Sequence, residues 1–78
     1  MKSTEEILAS IAGALGVDKS LVTVDSKYGD LDDWDSMGAM NLLLMLDKKY
    51  GVKVDMGDLA KINTAKGIID MINKDQKN

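Results

Sequence analysis

The sequence predicts an all-α fold, a small up-and-down bundle of three longer helices and one short helix. Two observations carry that expectation. Apolar residues recur at three- and four-residue steps in separate segments, and capping residues and glycines bracket those segments. A third follows from composition: the 78 residues include no Cys and no His, so neither a disulfide nor a zinc site can staple the chain. A core this small supplies only about 3–5 kcal/mol without such staples, and packing of Leu, Ile, Val and Met between helices must provide it.

The first helix is expected from about Thr4 to Leu15. Ser3-Thr4-Glu5-Glu6 reads as a capping box, in which Ser3 and Glu6 satisfy each other's backbone donors. Ile7, Leu8, Ile11, Ala14 and Leu15 then form one apolar face, and Gly16 is the natural stop.

From Val17 to Asp35 no helical period is sustained. A connection of this length in a compact domain is commonly functional. Leu21, Val22, Val24, Tyr28 and Leu31 are spaced to pin it to the bundle as lids on the core, with a short turn near Asp18 to Val22. Trp34, next to the second helix, is set apart from those lids.

The second helix should run from Ser36 to about Tyr50, stopped by Gly51. Leu42, Leu43, Leu46 and Tyr50 suit a core, while Met37, Met40 and Leu44 fall on a neighbouring face. So much apolar circumference implies two packing partners or an exposed binding face. Asp55 to Ala60 reads as a short third helix. Asn63-Thr64 caps a fourth, which turns Ala65, Ile68, Ile69 and Ile72 inward.

Charge and absences narrow the function. The net charge is −3 and there is no Arg, which argues against nucleic acid, whose binding needs clustered cations. Without His or Cys the usual general base and thiol nucleophile are missing, so an enzyme is not expected. The acidic start is unlike a secretory signal, and the longest apolar run, Leu42 to Leu46, is far below the roughly 20 residues that span a bilayer. One cytoplasmic domain over residues 1–78, monomeric and without membrane insertion, is the expectation.

The candidate site is the stretch Asp30-Leu-Asp-Asp-Trp-Asp-Ser-Met-Gly. Ser36 has a purely structural explanation, since serine is a preferred helix N-cap. Asp30, Asp32, Asp33 and Asp35 equally favour a helix start through the macrodipole. A calcium loop fails in both registers. Starting at Asp30 puts Trp34 at position five and Asp35 at the glycine position. Starting at Asp33 puts Met37 at position five and Leu44 in place of the closing Glu.

Read as one unit, Asp35-Ser36-Met37 opening an apolar helix after a long loop resembles the acyl carrier and peptidyl carrier protein family. That family's signature is Asp-Ser-Leu, or a close variant, at the start of its second helix. The resemblance continues through Leu42, Leu46, Tyr50, Gly51-Val52 and Ile62-Asn63-Thr64, and so covers essentially the whole chain. It implies that Ser36 is esterified with 4′-phosphopantetheine by a phosphopantetheinyl transferase, and that Asp35 helps position the transferase and its magnesium. It further implies that Met37, Met40 and Leu44, with Asp30, Asp32 and Asp33, meet partner enzymes. Those partners would be an acyl- or aminoacyl-loading ligase and downstream acyl-transfer enzymes. The absences agree: a chain without cysteine needs a borrowed thiol, and a chain without a histidine base needs a second protein to activate its serine.

The chain departs from fatty-acid carriers at Trp34, where a small residue is usual, at Asn41, commonly Glu, and at Lys48-Lys49, where acids are usual. It lacks the Gly-Gly-x-Ser motif of modular peptide synthetases. Asp35-Ser36-Met37-Gly38 looks closer to free-standing specialised carriers, including those that carry D-alanine. The competing class is a helical adaptor that binds an amphipathic helix without covalent chemistry.

Overall fold

The structure is a computed structural model that describes residues 3–32, 34–61 and 63–76. Among the described residues four helices form the expected bundle: α1 (Thr4–Leu15), α2 (Ser36–Tyr50), α3 (Met56–Lys61) and α4 (Ala65–Gln76). No strand occurs among the described residues. Among the described residues one antiparallel bridge joins Lys27 to Thr64.

Local chemistry sets most boundaries. Ser3 Oγ accepts the Glu6 N–H at 3.1 Å, forming the serine half of the anticipated box. The reciprocal bond from Glu6 is not made among the described residues, and Glu6 is exposed, so its carboxylate is left to water. At the other end Gly16 takes φ 75°, and the N–H groups of Gly16 and Val17 reach Gly13 O (3.2 Å) and Ala12 O (3.0 Å). This is the paired closure that a left-handed glycine permits. Gly51 ends α2 with φ 68°, its N–H on Asp47 O at 3.1 Å. The short helix begins one residue later than anticipated, because Asp55 serves as its cap, with Oδ1 accepting the Asp58 N–H at 2.7 Å.

The core draws on every helix. Ile7, Ile11 and Leu15 come from α1, Leu42, Leu46 and Tyr50 from α2, Leu59 from α3, and Ala65, Ile68, Ile69 and Ile72 from α4. Each fully buried Leu or Ile stabilises by about 1.5–3 kcal/mol relative to exposure. The anticipated α1 face is shifted slightly. Leu8 and Ala14 are half-buried, while Ser10 and Ala12 are buried. Leu43 is likewise half-buried rather than central.

Ser10 is tolerated inside because its hydrogen bonds are made. It lies 3.1 Å from Glu6 O and 2.8 Å from the Tyr50 hydroxyl. A serine has one proton to give, and the carbonyl can only accept, so Tyr50 donates to Ser10. That bond ties α1 to the end of α2 across the core.

The long connection departs most from expectation. Val22 is buried and Leu31 half-buried, as lids should be, but Leu21, Val24 and Tyr28 are exposed. Trp34, set apart from the lids, proves to be one, with 3% of its surface exposed. The backbone explains the sorting. The Ser26 carbonyl accepts the Ala65 N–H and the Asn63 carbonyl accepts the Tyr28 N–H, each at 2.8 Å, so the loop is stitched to the start of α4. Further on, Trp34 N–H donates to Leu31 O (3.0 Å) and Trp34 O accepts the Gly29 N–H (3.2 Å). Held by turns at both places, the loop has only a few positions facing inward. Asp18 caps a single 3-10 turn at Lys19–Leu21, its Oδ1 accepting the Ser20 N–H at 2.9 Å.

Candidate functional site

The start of α2 is fixed from behind and from within. The buried Trp34 anchors the chain just before the helix. Asp35 then takes extended backbone angles (φ −118°, ψ −159°) and its Oδ1 accepts the Gly38 N–H at 3.0 Å. Asp35 is therefore the N-cap, and Ser36 is the first helical residue. The capping explanation for Ser36 is overturned, because the carboxylate one residue earlier already performs that task. Ser36 is exposed, and no hydrogen bond among the described residues engages its hydroxyl. An alcohol in this setting can be approached and modified without breaking any interaction of the fold.

The surrounding residues sort clearly. Asp30, Asp32 and Asp35 are exposed, and Asp30 Oδ2 also accepts the Lys27 N–H of its own turn at 3.1 Å. Asp33 lies outside the described residues. Along α2, Met37 is 76% exposed, Met40 53% and Leu44 47%, while Gly38 and Ala39 on the opposite side are buried. The helix thus has two apolar sides. One is spent on the core, and the other stands open beside Ser36.

What the arrangement can do follows from its donor set. It offers one accessible alcohol, the exposed carboxylates of Asp30, Asp32 and Asp35 and an apolar ridge, with no imidazole or thiol anywhere in the chain. Such a surface can accept a covalent group and present it. A phosphodiester on Ser36 would sit near the positive end of the α2 dipole. The neighbouring carboxylates oppose it, so a solvent-facing phosphate is the arrangement that fits.

Sequence reasoning missed the capping role of Asp35 and the burial of Trp34. A signal for the first was present, since Asp ranks with Ser as a cap and stands one residue earlier. No local signal marks the second.

The chain has relatives of known family. Residues 5–72 match the family model described as the phosphopantetheine attachment site. The chain belongs to that family, the carriers that hold a phosphopantetheine group. Over 78 residues it is 40% identical to the acyl carrier protein of Thermotoga maritima, covering 95% of this chain and 96% of that one. It is 36% identical to the acyl carrier protein of Rhodococcus erythropolis over 74 residues, covering 90% of this chain and 81% of that protein. The acyl carrier protein of Rickettsia canadensis is 27% identical over 75 residues, covering 96% of this chain and 87% of its relative. Among the described residues, no helix is long and apolar enough to cross a membrane.

Proposed function

We propose that Ser36 is the residue that carries 4′-phosphopantetheine, and that the chain ferries an acyl or aminoacyl group between biosynthetic enzymes. The single observation that supports this most is the division of labour at the start of α2. Asp35 caps the helix, which leaves the exposed Ser36 hydroxyl with no structural task. When attached, the group supplies a terminal thiol on a long arm, able to hold cargo as a thioester. Ser36 Oγ forms a phosphodiester with the pantetheine-side phosphate of coenzyme A as the pyrophosphate bond of that donor breaks; adenosine 3′,5′-bisphosphate leaves, and the serine proton passes to a base that the transferase supplies. Asp35 adds a negative charge beside the acceptor, suited to orienting the transferase and its magnesium.

In this reading the chain is one monomeric cytoplasmic domain with no catalytic residue. Met37, Met40 and Leu44 dock the partner enzymes, because a flexible thioether adapts to successive grooves. Asp30, Asp32, Asp33 and Asp35 speed encounter with basic partners, and docking weakens as salt rises. The cargo is assigned to a dedicated pathway with its own loading ligase or acyltransferase, on the ground that Asn41, Lys48 and Lys49 dilute the negative face.

The test is incubation of the purified chain with coenzyme A and a promiscuous phosphopantetheinyl transferase, followed by intact-mass measurement. One arm should be added to the wild type and none to Ser36→Ala. Because Ser36 caps nothing, the variant should melt within about 0.5 kcal/mol of wild type. An unmodified wild-type chain would favour the non-covalent adaptor instead.

A further inference from the structure

The open side of α2 does not end as it begins. Met37, Asn41, Leu44 and Lys48 follow one another at three- and four-residue steps, so they form a single seam along the helix. All four are exposed, and Met40 widens the seam on one edge. Near Ser36 the surroundings are acidic, through Asp30, Asp32 and Asp35. At the far end, about 18 Å along the helix axis from Ser36, the seam closes on Lys48, with the exposed Asp47 flanking it on the Met40 edge.

The two lysines at that end are not equivalent. Lys49 lies with Nζ 6.0 Å from the centre of the Tyr50 ring, over a core residue, and off the seam. Lys48 makes no ion pair among the described residues and stands in line with the methionines and Leu44. Both complement the negative end of the helix dipole. That general role does not account for one of them continuing the apolar seam.

Resting on the carrier reading above, we propose that Lys48 is a specificity determinant of docking. Its partner is an enzyme whose groove is basic beside the active-site entrance, apolar in the middle and acidic about 18 Å away. An enzyme whose docking face is basic along the full length meets Lys48 with like charge and is disfavoured.

The experiment uses the phosphopantetheinylated chain and a fatty-acid malonyl transacylase with a lysine- and arginine-lined docking face as the probe. Malonyl transfer is followed by intact mass at low salt. Lys48→Glu should lower KM about three- to tenfold with kcat unchanged. Lys49→Glu should move KM by less than about twofold, being off the seam. Changing to Glu the transacylase docking lysine farthest from its active-site entrance should reverse the order, so that the wild-type chain is preferred over Lys48→Glu. Equal shifts for the two chain variants, or no reversal with the altered enzyme, would overturn the inference while leaving the carrier reading intact. A chain that accepts no arm fails earlier, at loading, and removes both.

Discussion

Asp35 carries two assignments that a pair of substitutions can separate. Its carboxylate accepts the Gly38 N–H at 3.0 Å, and the bond is part-buried, so that donor regains water only in part when the acceptor is removed. Truncating an N-cap aspartate to alanine costs about 0.5–2 kcal/mol, and the part-buried donor places Asp35→Ala in the upper half of that range. In a domain of this size each kcal/mol shifts Tm by roughly 4–8 °C, so a drop of about 5–16 °C is expected. Asparagine ranks with aspartate as a cap because it keeps the acceptor oxygen, and it loses only the interaction of charge with the dipole. Asp35→Asn should therefore melt within about 1 kcal/mol of wild type. Modification should behave differently. Both variants lack the negative charge proposed to orient the transferase, so both should take up the arm more slowly at a temperature where both are folded. Circular dichroism melts and a mass-resolved time course read the two effects independently. An Asp35→Ala chain that melts like wild type would refute the capping argument. An Asp35→Asn chain modified at the wild-type rate would refute the charge role and leave Asp35 as a cap alone.

Three further outcomes are expected. Tyr50→Phe removes the hydroxyl bonded to Ser10 and should cost about 0.5–1.5 kcal/mol in urea unfolding; an unchanged midpoint would contradict the stabilising role assigned to that bond. Trp34→Ala should cost about 3–5 kcal/mol, comparable with the whole stability of so small a domain, and leave the chain largely unfolded. In the wild type the Trp34 fluorescence should be blue-shifted and shielded from a soluble quencher, and ready quenching would speak against its burial. Hydrogen bonding to Ser20 holds the Asp18 carboxyl below its ordinary pKa. A group depressed on folding contributes stability above its unfolded pKa and loses it as pH falls through the folded value. The stability gap between wild type and Asp18→Ala should thus be present at neutral pH and close in acid below the usual aspartate range. An NMR titration midpoint for Asp18 at or above that of freely exposed aspartates would refute it.

Helix identity and all but the bounds of the short α3 were determined by sequence alone, because their causes lie within a few residues of one another. Ser3 and Thr64 offer side-chain acceptors to the first turns of α1 and α4, and Gly16 and Gly51 accept the left-handed turn that ends a helix. The separation of Met37, Met40 and Leu44 from the core face was legible for the same reason, since helical periodicity places them away from Leu42 and Leu46; that the face is open, and not covered by a second packing partner, was decided by the fold. Tertiary structure alone decided the fate of the long connection. A loop has no period, so whether Trp34 or Tyr28 turns inward depends on where Ser26 and Asn63 meet the start of α4, through hydrogen bonds between residues far apart in the chain. It also decided that Ser10 could be buried, since the Tyr50 hydroxyl that satisfies it arrives from forty residues away. At the site both kinds of information were required. The motif drew attention to Ser36, Asp35 offered a cap of equal rank one position earlier, and the folded backbone decided between the two, leaving the serine oxygen unclaimed.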